Sequence, residues 1–279
     1  MPASTSPDCR ATASTESGKN RIMETQYCLV EKKNHVMTVR LNRPERLNAM
    51  HPPANIELGL VFDDFEADDD MWVAVITGEG RGFCAGNDLR YQAEGGKRDP
   101  MPRGFGGLTS RWDMEKPVIA AVNGVAMGGG FEIALACDII LASDKAVFAL
   151  PEPKVGLAAL AGGLNRLPRH IGPKRALGMI LTGRHVSARE GYELGFVTAV
   201  VPHDELMERT REWVDQILAC SPLSVRASKD LVYRSLSTAS LRESMEATYD
   251  SVRRLQRSED FVEGPKAFSE KRPPQWKGR

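Results

Sequence analysis

The sequence predicts an α/β fold that passes into a helical C-terminal region. Three observations predict it. Short β-rich apolar runs at residues 72–76 and 117–122 each lead through a turn and a glycine loop into a helix-like segment. The stretches VAVITGEGRGFCAGNDL, from Val73, and VIAAVNGVAMGGGFEI, from Val118, start 45 residues apart and form a faint internal repeat. From Gly162 onward the apolar positions fall mostly at helical spacing. If the two repeated strands are parallel, both glycine loops leave the same, C-terminal side of the sheet, where open α/β folds place ligands.

The elements follow in chain order. Residues 1–22 are rich in Ser, Thr and Ala and lack both the apolar stretch of a secretion signal and the arginine density of a transit peptide. They read as part of a disordered tail, residues 1–24. Residues 27–30 and 36–41 read as two strands about a turn at Lys33 and Asn34, and residues 54–65 as a helix. Residues 95–107 are rich in Gly, Pro and charge and read as a mobile loop. Residues 139–142 and 146–150 are further strands, and 164–171, 173–181 and 188–194 further helices. A short apolar run at 197–201 precedes helices at 205–219, 223–236, 241–255 and 261–268.

Composition narrows the function. The chain has 279 residues, 42% of them hydrophobic, with 37 basic and 37 acidic side chains and no net charge. That balance gives no electrostatic case for nucleic acid or a membrane surface as partner. No apolar run is long enough for a membrane span. The five cysteines are scattered without a CxxC, and the five histidines show no ligand spacing, so neither a disulfide framework nor a metal site is expected. The reading is of free thiols in a reducing, cytoplasmic setting.

The most informative stretch runs from Pro117 to Ile133. Asn123 and Gly124 end its apolar strand, Gly128, Gly129 and Gly130 follow, and Glu132 comes next. Three glycines cost conformational entropy and contribute no packing. They suit a place where something lies against bare backbone. A helix starting there offers N–H groups with no internal partner and a dipole that favours negative charge. One N–H from each glycine loop, converging on one oxygen, makes an oxyanion hole for a carbonyl taking on enolate character. Packing alone is the competing explanation for the glycines. A second acid, Glu152, follows an apolar strand and lies between Pro151 and Pro153. Two carboxyls about one water separate in pKa. One ionised and one protonated acid suits addition of water across a double bond.

These motifs together resemble the enoyl-CoA hydratase/isomerase, or crotonase, family. The resemblance spans about residues 25–279 and rests on LNRPERLNA from Leu41, FCAGNDL from Phe83, NGVAMGGGFE from Asn123 and FALPE from Phe148. It looks nearest to carnitinyl-CoA dehydratase-like members, through GGGFE, FALPE and the ending EGPKAFSEKRPPQWKGR. The resemblance implies a crotonase-like spiral of ββα units over residues 25–204 and a helical trimerisation region over 205–279. The protein would form a homotrimer or a dimer of trimers. It implies reversible syn hydration of a 2-enoyl-CoA to a 3-hydroxyacyl-CoA, with no cofactor beyond the coenzyme A of the substrate.

By motif position the resemblance places the oxyanion N–H groups at Asn87 and Gly129 and the two acids at Glu132 and Glu152. It places coenzyme A contacts at Ala85, Arg90, Phe268 and Lys271, the last two reaching a neighbouring subunit. Leu160 stands where a glycine of the family helps position the water, and its side chain falls near the acyl pocket while its N–H stays available. Asn87 is larger than the usual residue, which offers its amide to substrate. Residues 91–112 would shape the acyl pocket. A quaternary ammonium there would want aromatic or acidic surroundings. Trp112, Phe105 and Asp113 are candidates, against the alternative that they form a solvated edge. The competing functions are a Δ3,Δ2-enoyl-CoA isomerase, a hydratase-lyase on aromatic acyl-CoAs and a catalytically silent acyl-CoA-binding scaffold.

Overall fold

The computed structural model describes residues 21–23, 25–96 and 100–279. Strands β1 (Arg21–Met23), β2 (Cys28–Lys33) and β3 (Val36–Leu41) form an antiparallel edge. Asn34 and His35, both at positive φ (50° and 65°), make the tight β2–β3 turn. That conformation matches the twist of a two-residue hairpin. β1 falls inside the segment read as a tail, because it pairs with β2 from Arg21 to Met23. The rest of that segment, residues 1–20 and 24, lies outside the described residues.

Helix α1 (Pro52–Ala67) follows, and then the chain repeats one plan. Unit one is β4 (Val73–Gly78), β5 (Gly82–Cys84) and α2 (Leu89–Ala93). Unit two is β6 (Val118–Val122), β7 (Val125–Met127) and α3 (Gly129–Ala136). Unit three is β8 (Ile139–Ser143), β9 (Val147–Ala149), a 3-10 turn (Glu152–Val155) and α4 (Gly163–Ile171). The first strand of each unit joins a seven-stranded sheet ordered β1-β2-β3-β4-β6-β8-β11, parallel from β3 onward. The second strand joins a four-stranded sheet ordered β10-β9-β7-β5. Helices α5 (Pro173–Thr182) and α6 (Ala188–Leu194), with β10 (Val186–Ser187) and β11 (Ala199–Val201), complete the two sheets. This is a spiral of ββα units.

Sequence reading missed β5 and β7. Each is three residues long, directly beside glycine loops, too short for periodicity to register. The apolar runs in β4 and β6 show no alternation in composition, yet they alternate in space. Ala74, Ile76, Ala120 and Val122 face the main core; Val73, Val75, Ile119 and Ala121 face a second core against α7 (Leu206–Leu218). Parallel strands covered on both faces read as continuous hydrophobic runs for this reason.

The C-terminal region carries α8 (Pro222–Ser235), α9 (Leu241–Glu246), α10 (Asp250–Gln256) and α11 (Glu259–Ser269). The helix expected over 241–255 is two helices, broken where Ala247 turns to an extended conformation (ψ 152°). Among the described residues no helix is long and apolar enough to cross a membrane.

Two asparagines of the sequence motifs fix the β4–β5 connection. Buried Asn48, at φ 57°, donates from Nδ2 to the carbonyls of Glu79 (3.0 Å) and Gly82 (2.8 Å) and accepts from the Arg43 N–H (2.8 Å). Asn123 donates to the Gly80 carbonyl (2.9 Å) and accepts from the Gly78 N–H (3.2 Å). Asn48→Ala leaves two carbonyls and an N–H short of partners and puts a Cβ residue without local compensation at positive φ. The expected cost is about 2–4 kcal/mol, read as an earlier urea midpoint at unchanged m; a midpoint equal to wild type would contradict it.

Candidate active site

The two glycine loops meet. A Cβ at Gly86 would sit 3.1 Å from the Gly129 nitrogen, so the loop after β5 lies directly beside the start of α3. Each of the three glycines there has its own reason. Gly128 is at φ 52°, and a Cβ on it would come 2.9 Å from Glu152 Oε1. A Cβ on Gly129 would enter the Phe105 ring, and one on Gly130 would collide with the Cys84 carbonyl oxygen. Packing therefore accounts for Gly130, while Gly128 and Gly129 keep backbone bare beside a carboxylate and an aromatic ring.

The amides of these loops sort into used and unused. The Gly128 N–H donates to the Ala149 carbonyl (2.9 Å), which ties α3 to β9. The Gly129 N–H is in the first turn of α3 and has no acceptor among the described residues. On the other loop, Met50 and Asn87 form a parallel bridge: the Met50 N–H donates to Gly86 (2.8 Å) and the Asp88 N–H to Met50 (2.8 Å). Asn87 between them turns its own N–H away from that bridge and also has no acceptor among the described residues. Asp88 holds the loop in place, accepting from the Tyr91 N–H (3.2 Å) and pairing with Arg43 (2.9 Å).

Asn87 and Gly129 line one cavity of about 410 Å³. Glu132 and Glu152 line it too, as do Ala85, Phe105, Leu157 and Leu160. Glu132 is only 3% exposed, and its Oε1 accepts from the Gly163 N–H at 2.8 Å. Burial is the main reason its pKa rises to about 7, and the neighbouring Glu152 adds to the rise. Glu152 starts the 3-10 turn after β9, between the two prolines. Burial raises its pKa as well, and its Oε2 is buried without a hydrogen-bond partner among the described residues. Phe131, beside Glu132, packs on Phe148 of β9 and on Phe196, with ring centroids 5.2 and 5.0 Å away. That cluster locks α3 to β9 and so fixes one acid relative to the other.

Several expectations need correction. Trp112 does not line the cavity: it is 82% exposed, and the Arg166 guanidinium stacks 5.3 Å over its ring. Asp113 pairs with Arg103 at 3.0 Å. Both sit at the surface beside an arginine and outside the cavity lining. The loop expected over 95–107 is anchored where it is described near its C-terminal end. Gly106 donates to Asn55 Oδ1 (2.7 Å), Phe105 donates to Thr109 Oγ1 (2.8 Å), and Arg111 bonds the Gly107 and Gly59 carbonyls (3.0 and 2.9 Å). Composition hides these bonds because their partners lie on α1 and beyond the loop. Residues 97–99 of that loop lie outside the described residues.

Leu160 is 81% exposed at the rim of the cavity, but its N–H donates to the Ala158 carbonyl (2.9 Å) and is not free for a water. The Asn87 side-chain amide donates to Gln92 Oε1 (3.0 Å), so it is partly committed within the wall. Arg90 is exposed on α2 and lies outside the cavity wall, between Leu89 and Tyr91, which line it. Phe268, 87% exposed, and Lys271, at φ 54°, lie at the end of α11 and do not line the cavity of their own chain. Sequence reading missed Gly163, the hydrogen-bond donor to Glu132, and Arg43 with Asp88. No local pattern marks a glycine as the donor to an acid 31 residues earlier.

A spiral of ββα units thus brings to one cavity two main-chain N–H groups without acceptors among the described residues, buried Glu132 and half-buried Glu152. The model of the family described as enoyl-CoA hydratase/isomerase matches residues 31–279, and the chain belongs to that family. It is similar to the carnitinyl-CoA dehydratase of Proteus mirabilis, 45% identical over 88% of this chain and 95% of the relative. The carnitinyl-CoA dehydratase of Escherichia coli K12 is 43% identical over the same shares, 88% and 95%. Among solved structures, the enoyl-CoA hydratase of Mycobacterium tuberculosis superposes with a TM-score of 0.85 at 35% identity, covering 91% of this chain and 99% of that one.

The raised pKa of Glu132 has a consequence for stability. The fold holds this proton more tightly than the unfolded chain, where a glutamic acid titrates at 4.5. Its favourable contribution is complete below that value and is lost as pH rises to about 7. Above that it leaves a constant penalty of about 3 kcal/mol. Glu132→Gln keeps an acceptor for Gly163 and removes the penalty. The variant is expected to be more stable than wild type at pH 8 by up to about 3 kcal/mol, with the gain shrinking toward pH 5. A difference in urea stability that is the same at both pH values would contradict this.

Proposed function

We propose that the protein adds water reversibly to a 2-enoyl-CoA, with Asn87 and Gly129 as the oxyanion donors and Glu132 and Glu152 as the acid–base pair. The observation that carries it is one cavity lined by buried Glu132, by half-buried Glu152, and by two main-chain N–H groups with no acceptor among the described residues. The thioester oxygen accepts from both amides. Water bonds through oxygen to the β-carbon and gives one proton to an ionised carboxylate. The double-bond electrons move onto the thioester oxygen as an enolate, which then collapses as the other, protonated carboxyl delivers its proton to the α-carbon. Dehydration is the reverse path. The two acids act as one titrating unit carrying a single proton, and each N–H donor of this kind contributes about 3–4 kcal/mol of transition-state stabilisation.

The likeness to carnitinyl-CoA dehydratases supports an acyl group bearing a trimethylammonium, with carnitinyl-CoA and crotonobetainyl-CoA as the pair interconverted. We assign coenzyme A contacts to Ala85 and Arg90 at the cavity mouth and to Phe268 and Lys271 from a neighbouring copy. The same reading makes the protein a homotrimer or a dimer of trimers, acting in the cytoplasm without a further cofactor. Exposed apolar side chains on the C-terminal helices, among them Leu236, Leu241, Met245 and Val262, support self-association there.

Crotonyl-, crotonobetainyl- and cinnamoyl-CoA, each assayed for water uptake, test the reading directly. Glu152→Gln and Glu132→Gln are each expected to lower kcat by at least about a hundredfold with native circular dichroism. Wild-type turnover in either variant would remove that acid from the mechanism. Double-bond migration without water uptake would favour an isomerase, and affinity without turnover a scaffold.

A further inference from the structure

Arg166 is a charge that the reaction as described does not use. It lies on α4, three residues after Gly163, whose N–H binds Glu132. Its guanidinium is held from three sides. Nη2 donates to the Thr109 carbonyl at 2.9 Å, the Trp112 ring stacks at 5.3 Å, and Nη1 lies over Gly162. Gly162 is at φ 108°, and a Cβ there would collide with Nη1. The chain thus gives up a side chain at 162 where the guanidinium passes. None of these partners is anionic, and no carboxylate among the described residues forms an ion pair with it. The adjacent glycines connect it to the acid: Gly162 lies against the guanidinium, and Gly163 lies against Glu132, whose Oε1 takes its N–H.

We propose that Arg166 is a positioning residue for the acid pair: clamped by Trp112 and Thr109, it orients Glu132 through the Gly162–Gly163 turn and supplies the positive potential that lets that carboxyl ionise. The proposal rests on the reading of Glu132 as half of the acid–base pair. It also gives exposed Trp112 a part in the site that its position outside the cavity would not suggest. The surrounding charges agree. Burial raises the pKa of Glu132 and Glu152 adds to it, while the Gly163 and Ala161 backbone and Arg166 oppose the rise. Facing Arg166 are Tyr233 from α8, Cys137 at the end of α3, and Arg169 on its own helix; His170, also on α4, feels its charge. None of these replaces it beside Glu132.

The test is a pH titration of the Glu132 carboxyl in the substrate-free protein, followed by its 13C signal and assigned by loss of that signal in Glu132→Gln. Arg166→Met is expected to raise the midpoint by about one pH unit, and Arg166→Lys to return most of it. The kcat/KM profile should move the same way. An unmoved midpoint in folded Arg166→Met overturns the proposal. If that variant does not fold, Trp112→Ala, at an exposed position, loosens the clamp and should raise the midpoint by less; no movement there overturns the proposal equally. Because the titration is read without substrate, absent turnover in wild type with the shift intact would overturn the hydratase reading alone. Normal turnover with no shift would overturn the role of Arg166 alone.

Discussion

The structure depends on the passage from β7 into α3 through three residues without side chains. Gly130 lets the helix start against the Cys84 carbonyl, and Gly128 takes a left-handed φ under Glu152. Between them Gly129 is left with a bare N–H at the positive end of a helix dipole. A side chain at any of the three would push α3 off β5, close the approach of the acid, or fill the space beside Phe105. The rest of the fold is arranged so that this passage is held still.

Three sets of contacts hold it. Asn48 and Asn123 fasten the β4–β5 connection from opposite sides of the sequence, which places the second loop. The Phe131, Phe148 and Phe196 rings pin α3 to β9, the strand that leads into the turn carrying Glu152. On α4, the Gly163 N–H hydrogen-bonds Glu132 at 2.8 Å. The site works against the stability of the fold at neutral pH, because two carboxyls are kept where their ionised forms are poorly solvated. A protein selected for stability alone would bury apolar side chains there.

Much of this was legible in the sequence. Triple glycine followed by Glu132, and Glu152 between prolines, are local signals, and they do share one cavity with Asn87, Ala85 and Leu160. The two repeated strands, whose parallel pairing was the condition for both glycine loops leaving one side of the sheet, are parallel neighbours, Ala74 pairing with Val118. What stayed hidden depends on long-range partners. Of the second sheet only β9 was visible; β5 and β7 are three-residue strands that no periodicity reveals. Residues 104–107 look like loop by composition but are anchored by Asn55 and Arg111. Trp112 carries no sign in its neighbours that an arginine 54 residues later occupies its face. The N–H of Leu160 is spent inside its own turn, which only coordinates reveal.

The central claim is that one thioester oxygen accepts hydrogen bonds from the Asn87 and Gly129 main-chain amides. The carbonyl stretching frequency of an enoyl-CoA bound to Glu152→Gln, in which turnover is blocked, measures that interaction without reference to rate. Two donors on one oxygen weaken the C=O bond, so isotope-edited vibrational spectra should show the band at lower wavenumber than for the same thioester in water. A bound thioester whose carbonyl band matches the free one would contradict the account.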